Sequence, residues 1–236
     1  MKTGVLEANN PEDQGIRIGA ELNDLADIAK PDTDLVIWQR TVPVCLTNWL
    51  ARIDVSDLPH LRILVHPGDF RRAIEPHLHA CGLPRGNMRN LLIDDIDDLV
   101  DAFSNITKSN LVDIRLESID HDACWKFHRD NVVARLLTTY RGPATQWIQP
   151  RHADQALRDQ QDFDGPLESL QISDVAIFRG NSTKPDEGIV HRSPPMAGTG
   201  GARLLLCLNK QSITSPLPWT GQDEGQNAVQ EAGQQP

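Results

Sequence analysis

The chain changes character once, near Leu111, and that change limits what it can fold into. From Leu35 to about Lys108 the apolar residues recur at helical spacing. Val44 to Ile53 reads as one helix, and Phe70 to Cys81 as a second, ended by Gly82 and Pro84. A third, from about Gly86 to Ile106, places Leu91, Leu92, Ile96, Leu99, Val100 and Phe103 near one face, with the run Asp94-Asp95-Ile96-Asp97-Asp98 read as solvated surface. Beyond Leu111 come short β-prone runs separated by turns: Val112–Ile119, Ala123–Phe127, Val132–Tyr140, Thr145–Ile148, Asp174–Phe178, Gly188–His191 and Arg203–Leu208. A helical layer followed by many short strands predicts an α+β fold, a double-stranded β-helix (a jelly-roll, cupin-like barrel) behind an N-terminal helical layer.

Residues 35–213 are expected to form this single domain, with 35–108 as the helical layer and 109–213 as the barrel. Residues 1–34, rich in Asp, Asn, Glu and Pro, read as a disordered leader, and the Pro-, Gly- and Gln-rich stretch 214–236 as a disordered tail. The polar stretch 149–166 reads as a long loop, a candidate lid. The formal net charge of -10 argues against a nucleic-acid backbone or an anionic membrane surface as the main partner. No run approaches the roughly twenty apolar residues of a membrane span, and the start of the chain has no signal-peptide core, so a cytoplasmic setting is expected. There the four widely spaced cysteines are expected to be free thiols.

The chemistry concentrates in the second half. A His-x-Asp triplet occurs twice, as His128-Arg-Asp130 and His152-Ala-Asp154, and such a triplet alone carries little information. Context separates them. His152 lies in a polar stretch, whereas His128 ends an apolar run and opens a turn. Residues two apart on a strand share a face, so His128 and Asp130 are able to point together into a barrel mouth. His191 is the one histidine downstream of His152, where a strand stops at Pro194-Pro195. Two imidazoles and a carboxylate make the open facial site that suits non-haem Fe(II). Arg203, on the next strand, presents a fork suited to a carboxylate, and Tyr140, the one tyrosine of the chain, offers a hydroxyl. His77-Leu-His79-Ala-Cys81 is ligand-rich but splayed by its spacing on a helix. Among these features there is no Walker or Rossmann fingerprint and no nucleophile elbow.

The order His128, Asp130, His191, then Arg203 resembles the Fe(II)/2-oxoglutarate-dependent dioxygenase superfamily over about residues 111–208. More narrowly, Cys124-Trp-Lys-Phe-His-Arg-Asp130, Arg135-Leu-Leu-Thr-Thr-Tyr-Arg-Gly142 and Gly188-Ile-Val-His-Arg-Ser-Pro-Pro195 are similar to an uncharacterised bacterial family of unknown function. The resemblance implies Fe(II) held by His128, Asp130 and His191, and 2-oxoglutarate held through its far carboxylate by Arg203 with Tyr140. It implies an oxygenase that hydroxylates an unknown small-molecule or protein substrate, with no catalytic side chain beyond the metal ligands. The superfamily's usual Arg-x-Ser is absent, since Leu204-Leu205 follow Arg203, so Arg192 and Arg135 stay open as alternative anchors. A different class also fits these residues: a non-catalytic cupin-like protein that holds iron or zinc for sensing or delivery.

Overall fold

Alternation along each strand sorts side chains to two faces, and the architecture follows from what covers each face. The computed structural model describes residues 15–182 and 188–221. Its main sheet has seven strands: β1 (Ile16–Gly19), β2 (Leu35–Trp38), β3 (His60–Val65), β4 (Val112–Ile119), β5 (Ala134–Arg141), β8 (Val175–Arg179) and β10 (Arg203–Lys210). They lie in the order β1-β2-β8-β5-β10-β4-β3, antiparallel except for the parallel pair β1/β2. A second sheet joins β7 (Glu168–Ser169), β6 (Gln146–Trp147) and β9 (His191–Arg192) in the order β7-β6-β9.

One face of the main sheet packs on the helices α1 (Val44–Arg52), α2 (Phe70–Ala80) and α3 (Asn87–Thr107). Leu204, Leu206 and Leu208 of β10 point that way, with Leu136 of β5 and Ile177 of β8, onto Ile96, Leu99, Val100 and Phe103 of α3. The intervening residues face the small sheet. Leu205 and Cys207 of β10, Leu137 of β5, and Ala176 and Phe178 of β8 form a second cluster with Trp147 and Ile189. Both faces of β10 are therefore covered, which is why it reads as a nearly unbroken apolar run.

Several expectations need correction. The two sheets face each other in the manner of a double-stranded β-helix, but among the described residues they do not close into a barrel. The half read as helical contains β2 and β3. The segment read as a leader contributes β1 and a 3-10 helix, Leu22–Ala29, from residue 15 onward, while residues 1–14 lie outside the described residues. Ala123–Phe127 forms no strand. The stretch 149–166 holds a short helix, α4 (Ala153–Asp159), with 3-10 turns on either side, where a loop was expected. Part of the expected tail is docked: Trp219 donates its backbone N–H to Leu64 O at 2.8 Å, and residues 222–236 lie outside the described residues.

The acidic run of α3 is also divided in its role. Arg71 pairs with Asp94 and Asp97 on the outside. Asp95 turns inward, where Arg40 grips it with two nitrogens at 2.5 and 2.9 Å and the Tyr140 hydroxyl donates to it at 2.5 Å.

Candidate metal centre

His128 and His191 meet because their backbones pair. Each donates its N–H to the other's carbonyl at 3.0 Å, an isolated antiparallel bridge that extends the small sheet by one residue. The chain before His128 is fixed by a side chain standing in for a missing strand. Gln160, beyond α4, accepts the Phe127 N–H at 2.9 Å and donates to Phe127 O at 3.0 Å and Leu157 O at 2.9 Å. Phe127 itself is buried with Ile148, Ala153, Ala156 and Val190 under α4. After the site, Gly180 allows the close approach that brings Asp130 in. A Cβ there would stand 2.0 Å from Val132 O, so no larger residue fits. Asn181 then donates its N–H to Asp130 O at 2.8 Å.

These supports bring one ligand atom each from His128, Asp130 and His191 within 4.8 Å of one another, the one such His/Cys/Asp/Glu group among the described residues. Each imidazole sets its Nδ1 against a backbone carbonyl, His128 on Lys126 O at 2.8 Å and His191 on Ile189 O at 3.0 Å. A carbonyl only accepts, so the ring proton of each neutral histidine sits on Nδ1 and the lone pair of Nε2 faces inward. Asp130 completes the group: Oδ1 lies 3.7 Å from His128 Nε2, and Oδ2 lies 3.3 Å from His191 Nε2. Arg135 donates to Oδ1, while Oδ2 is buried with no hydrogen-bond donor. Two lone pairs and an orphaned carboxylate oxygen converging on one point repel one another unless a cation stands between them. The donor set therefore fits a divalent metal, two neutral nitrogens and one carboxylate with the remaining positions free.

The electrostatics agree. Burial, and then the neighbouring His191, pushes His128 below the ordinary histidine value, which keeps its lone pair available. Burial alone would push the Asp130 carboxyl up, but His191, Arg135 and His128 outweigh it and hold it below the ordinary range. Phe178 covers the far side of His191, ring centroids 4.7 Å apart, and leaves His128, with a third of its side chain exposed, on the open side.

Arg203 lies on the same face of the main sheet, at the start of β10, and is fully buried. Its one hydrogen bond is a long one, 3.4 Å to Thr145 Oγ1 from the residue preceding β6, and its Nε and Nη1 have no partner. Burial pushes this guanidinium down to about 10. The other candidate anchors are occupied: Arg135 by Asp130 and Asn209, Arg192 by Gln146 and the Phe127 ring.

Tyr140 does not join the site. Its hydroxyl is spent on Asp95 on the helix side of the sheet, and it packs with the residues facing α3, so the expected contact with a co-substrate is overturned. The second triplet does not assemble either: His152 accepts from Arg151, while Asp154 pairs with Arg129. The sequence reading passed over Thr145, Asn209, Phe178 and Gln160, whose roles arise only when distant segments meet.

A family model described as "Protein of unknown function (DUF1826)" matches residues 19–209. The chain belongs to this family. A search among curated proteins gives no match for this DUF1826 protein. Among solved structures it is similar to the dioxygenase for auxin oxidation 1 from Arabidopsis thaliana in its 2-oxoglutarate complex, with 7% identity, a TM-score of 0.50, and coverage of 86% of this chain and 95% of that one. It also matches a Pseudomonas putida prolyl-4-hydroxylase with 12% identity and a TM-score of 0.40, over 81% of this chain and 94% of the other. With the first likeness, the mixed sheets and helices of this chain resemble a double-stranded β-helix, without a closed barrel among the described residues.

Proposed function

We propose that this DUF1826 protein is a mononuclear non-haem iron oxygenase that uses 2-oxoglutarate and O2 to hydroxylate a substrate. The observation that carries the reading is the orphaned Oδ2 of Asp130 facing the inward Nε2 atoms of His128 and His191, with Arg203, two of its nitrogens without acceptors, buried on the same sheet face. His128, Asp130 and His191 would hold Fe(II). Bound there, the metal would supply oxygen activation, coupled to oxidative decarboxylation of 2-oxoglutarate to succinate and CO2.

The chain's own residues have three tasks. Arg203 binds the far carboxylate of 2-oxoglutarate, since a buried cation with no counter-ion is costly and a carboxylate relieves it. Thr145 holds the Nη2 of this guanidinium from the small sheet. Leu137, Leu205 and Trp147, packed between the sheets, keep water from the reaction space. No side chain is needed as a general base.

The test is succinate formation from 2-oxoglutarate by the Fe(II)-loaded protein in air. The wild type should form succinate, and Asp130→Ala should not. Arg203→Gln should raise the KM for 2-oxoglutarate by tenfold or more. Tight metal binding with no succinate would favour the metal-holding alternative and reject this proposal.

A further inference from the structure

Once Arg203 is assigned to 2-oxoglutarate, a second arginine on the metal-facing side of the main sheet still has a buried nitrogen without an acceptor. Arg115 of β4 is directly opposite Cys207 of β10 on one side and Arg62 of β3 on the other. Residues opposed across antiparallel strands share a face, and Cys207 belongs to the cluster between the sheets, so Arg115 lies on the side that carries the metal centre. Its Nε is buried without a hydrogen-bond acceptor, and among the described residues no carboxylate comes within ion-pair distance of it.

The surrounding acids are engaged or out of reach. Asp113 is taken by Arg62, at 3.0 and 2.6 Å, and by the Ser215 hydroxyl at 2.7 Å. Asp130 gives one oxygen to Arg135 and turns the other to the histidines. Glu117, two residues along the same face, forms no ion pair with Arg115. Arg115 stands opposite Arg62, and Asp113, whose carboxyl feels both charges, spends its hydrogen bonds on Arg62 and Ser215, leaving Arg115 Nε without an acceptor.

Arg135 of β5, on the other side of β10, is held by Asp130 and Asn209. Cross-strand from Asn209, it donates through Nε to that residue's Oδ1 at 2.9 Å, while the Asn209 side-chain amide donates to Cys207 Sγ at 3.3 Å. Both guanidinium groups bear on the Cys207 thiol: burial pushes it up, and Arg135 and Arg115 pull against that rise. Two cations thus flank Cys207 from strands on either side of β10, and one of them also touches the metal ligand Asp130.

We propose that the primary substrate carries an oxyanion, a carboxylate or a phosphate, bound by Arg115 beside Cys207. This inference rests on the oxygenase reading. It adds that the substrate is anionic and that its charged group lies on the β4 side of the metal. Arg115 is two strand spacings, roughly 10 Å, across the sheet from β5, which limits the distance between the charged group and the carbon that reacts.

The test uses the metal-free full-length chain without 2-oxoglutarate, so it does not depend on turnover. Inorganic phosphate and acetate serve as probes in separate titrations at constant ionic strength. At saturation the effective probe should protect Arg115 from phenylglyoxal, read by peptide mass spectrometry on the wild type. Its affinity should fall at least tenfold in Arg115→Gln and less in Arg115→Lys, and the stronger probe identifies the group as phosphoryl or carboxyl. The proposal is overturned if neither probe protects Arg115, or if Arg115→Gln binds both as well as the wild type. Intact protection in a protein that forms no succinate would remove the oxygenase reading and leave the anion site standing.

Discussion

Arg135 closes on Oδ1 of Asp130 and leaves Oδ2 facing His191 Nε2 at 3.3 Å. One oxygen of the carboxylate is thereby held by the protein and the other is presented to a metal. Partners that orient a ligand in this way typically contribute about 10–100-fold in metal affinity. Arg135→Leu should weaken Co(II) binding by about that factor, with Arg135→Lys in between. Unchanged affinity in a calorimetric titration of Arg135→Leu would show that Asp130 holds its orientation without this arginine.

Gln160 should matter to the same metal although it touches no ligand. Its amide satisfies both backbone groups of Phe127, the residue before His128, so Gln160→Ala strands a buried N–H and C=O. The expected cost is about 1–3 kcal/mol of stability, measured by urea denaturation, together with weaker Co(II) binding. A loss of stability with full metal affinity would mean that the bridge to His191 alone positions His128.

Tyr140 should behave as a structural residue. Tyr140→Phe removes the hydroxyl that Asp95 accepts but leaves the Arg40–Asp95 pair in place. Stability should fall by about 1–2 kcal/mol, with no change in 2-oxoglutarate affinity. A large rise in the KM for 2-oxoglutarate would contradict the placement of this side chain on the helix side.

Much of this was legible in the sequence, for physical reasons. The three helices follow apolar spacing because each has one covered and one exposed face, and β4 alternates because its second face carries polar side chains. The metal triad was legible because histidines are few and one triplet adjoins an apolar run. Strands β2 and β3 were missed because they are short and nearly all apolar where they are covered on both sides, so they lack alternation. Tyr140 was misplaced by parity. It stands five residues from Arg135, and an odd separation puts two strand residues on opposite faces. Nothing local marks Arg135 as the residue that meets Asp130, so the correct face of β5 emerges only from the assembled fold. Asp95 was read as surface because the partners that draw it inward, Arg40 and Tyr140, come from distant segments.

The Asp113–Arg62 pair gives a pH signature remote from the metal. Burial would push the Asp113 carboxyl up, but Arg62 and the Ser215 hydroxyl outweigh it and hold it below the ordinary value. The unfolded chain then binds more protons in acid than the folded one, so this stabilisation is complete above the unfolded value and is lost as pH falls through the folded one. Asp113→Asn should cost about 1–3 kcal/mol near neutrality, since Arg62 is partly exposed, and the gap from wild type should close as pH falls below about 4. A gap independent of pH would assign the effect to packing.

The account is tested most directly by oxygen uptake and succinate release recorded together on the Fe(II)-loaded protein, with and without 2-oxoglutarate. The prediction is that uptake requires 2-oxoglutarate, that succinate appears in an equal amount, and that both vanish in His191→Ala. Stoichiometric Fe(II) binding with no 2-oxoglutarate-dependent uptake would contradict it and leave a centre that holds metal without using it.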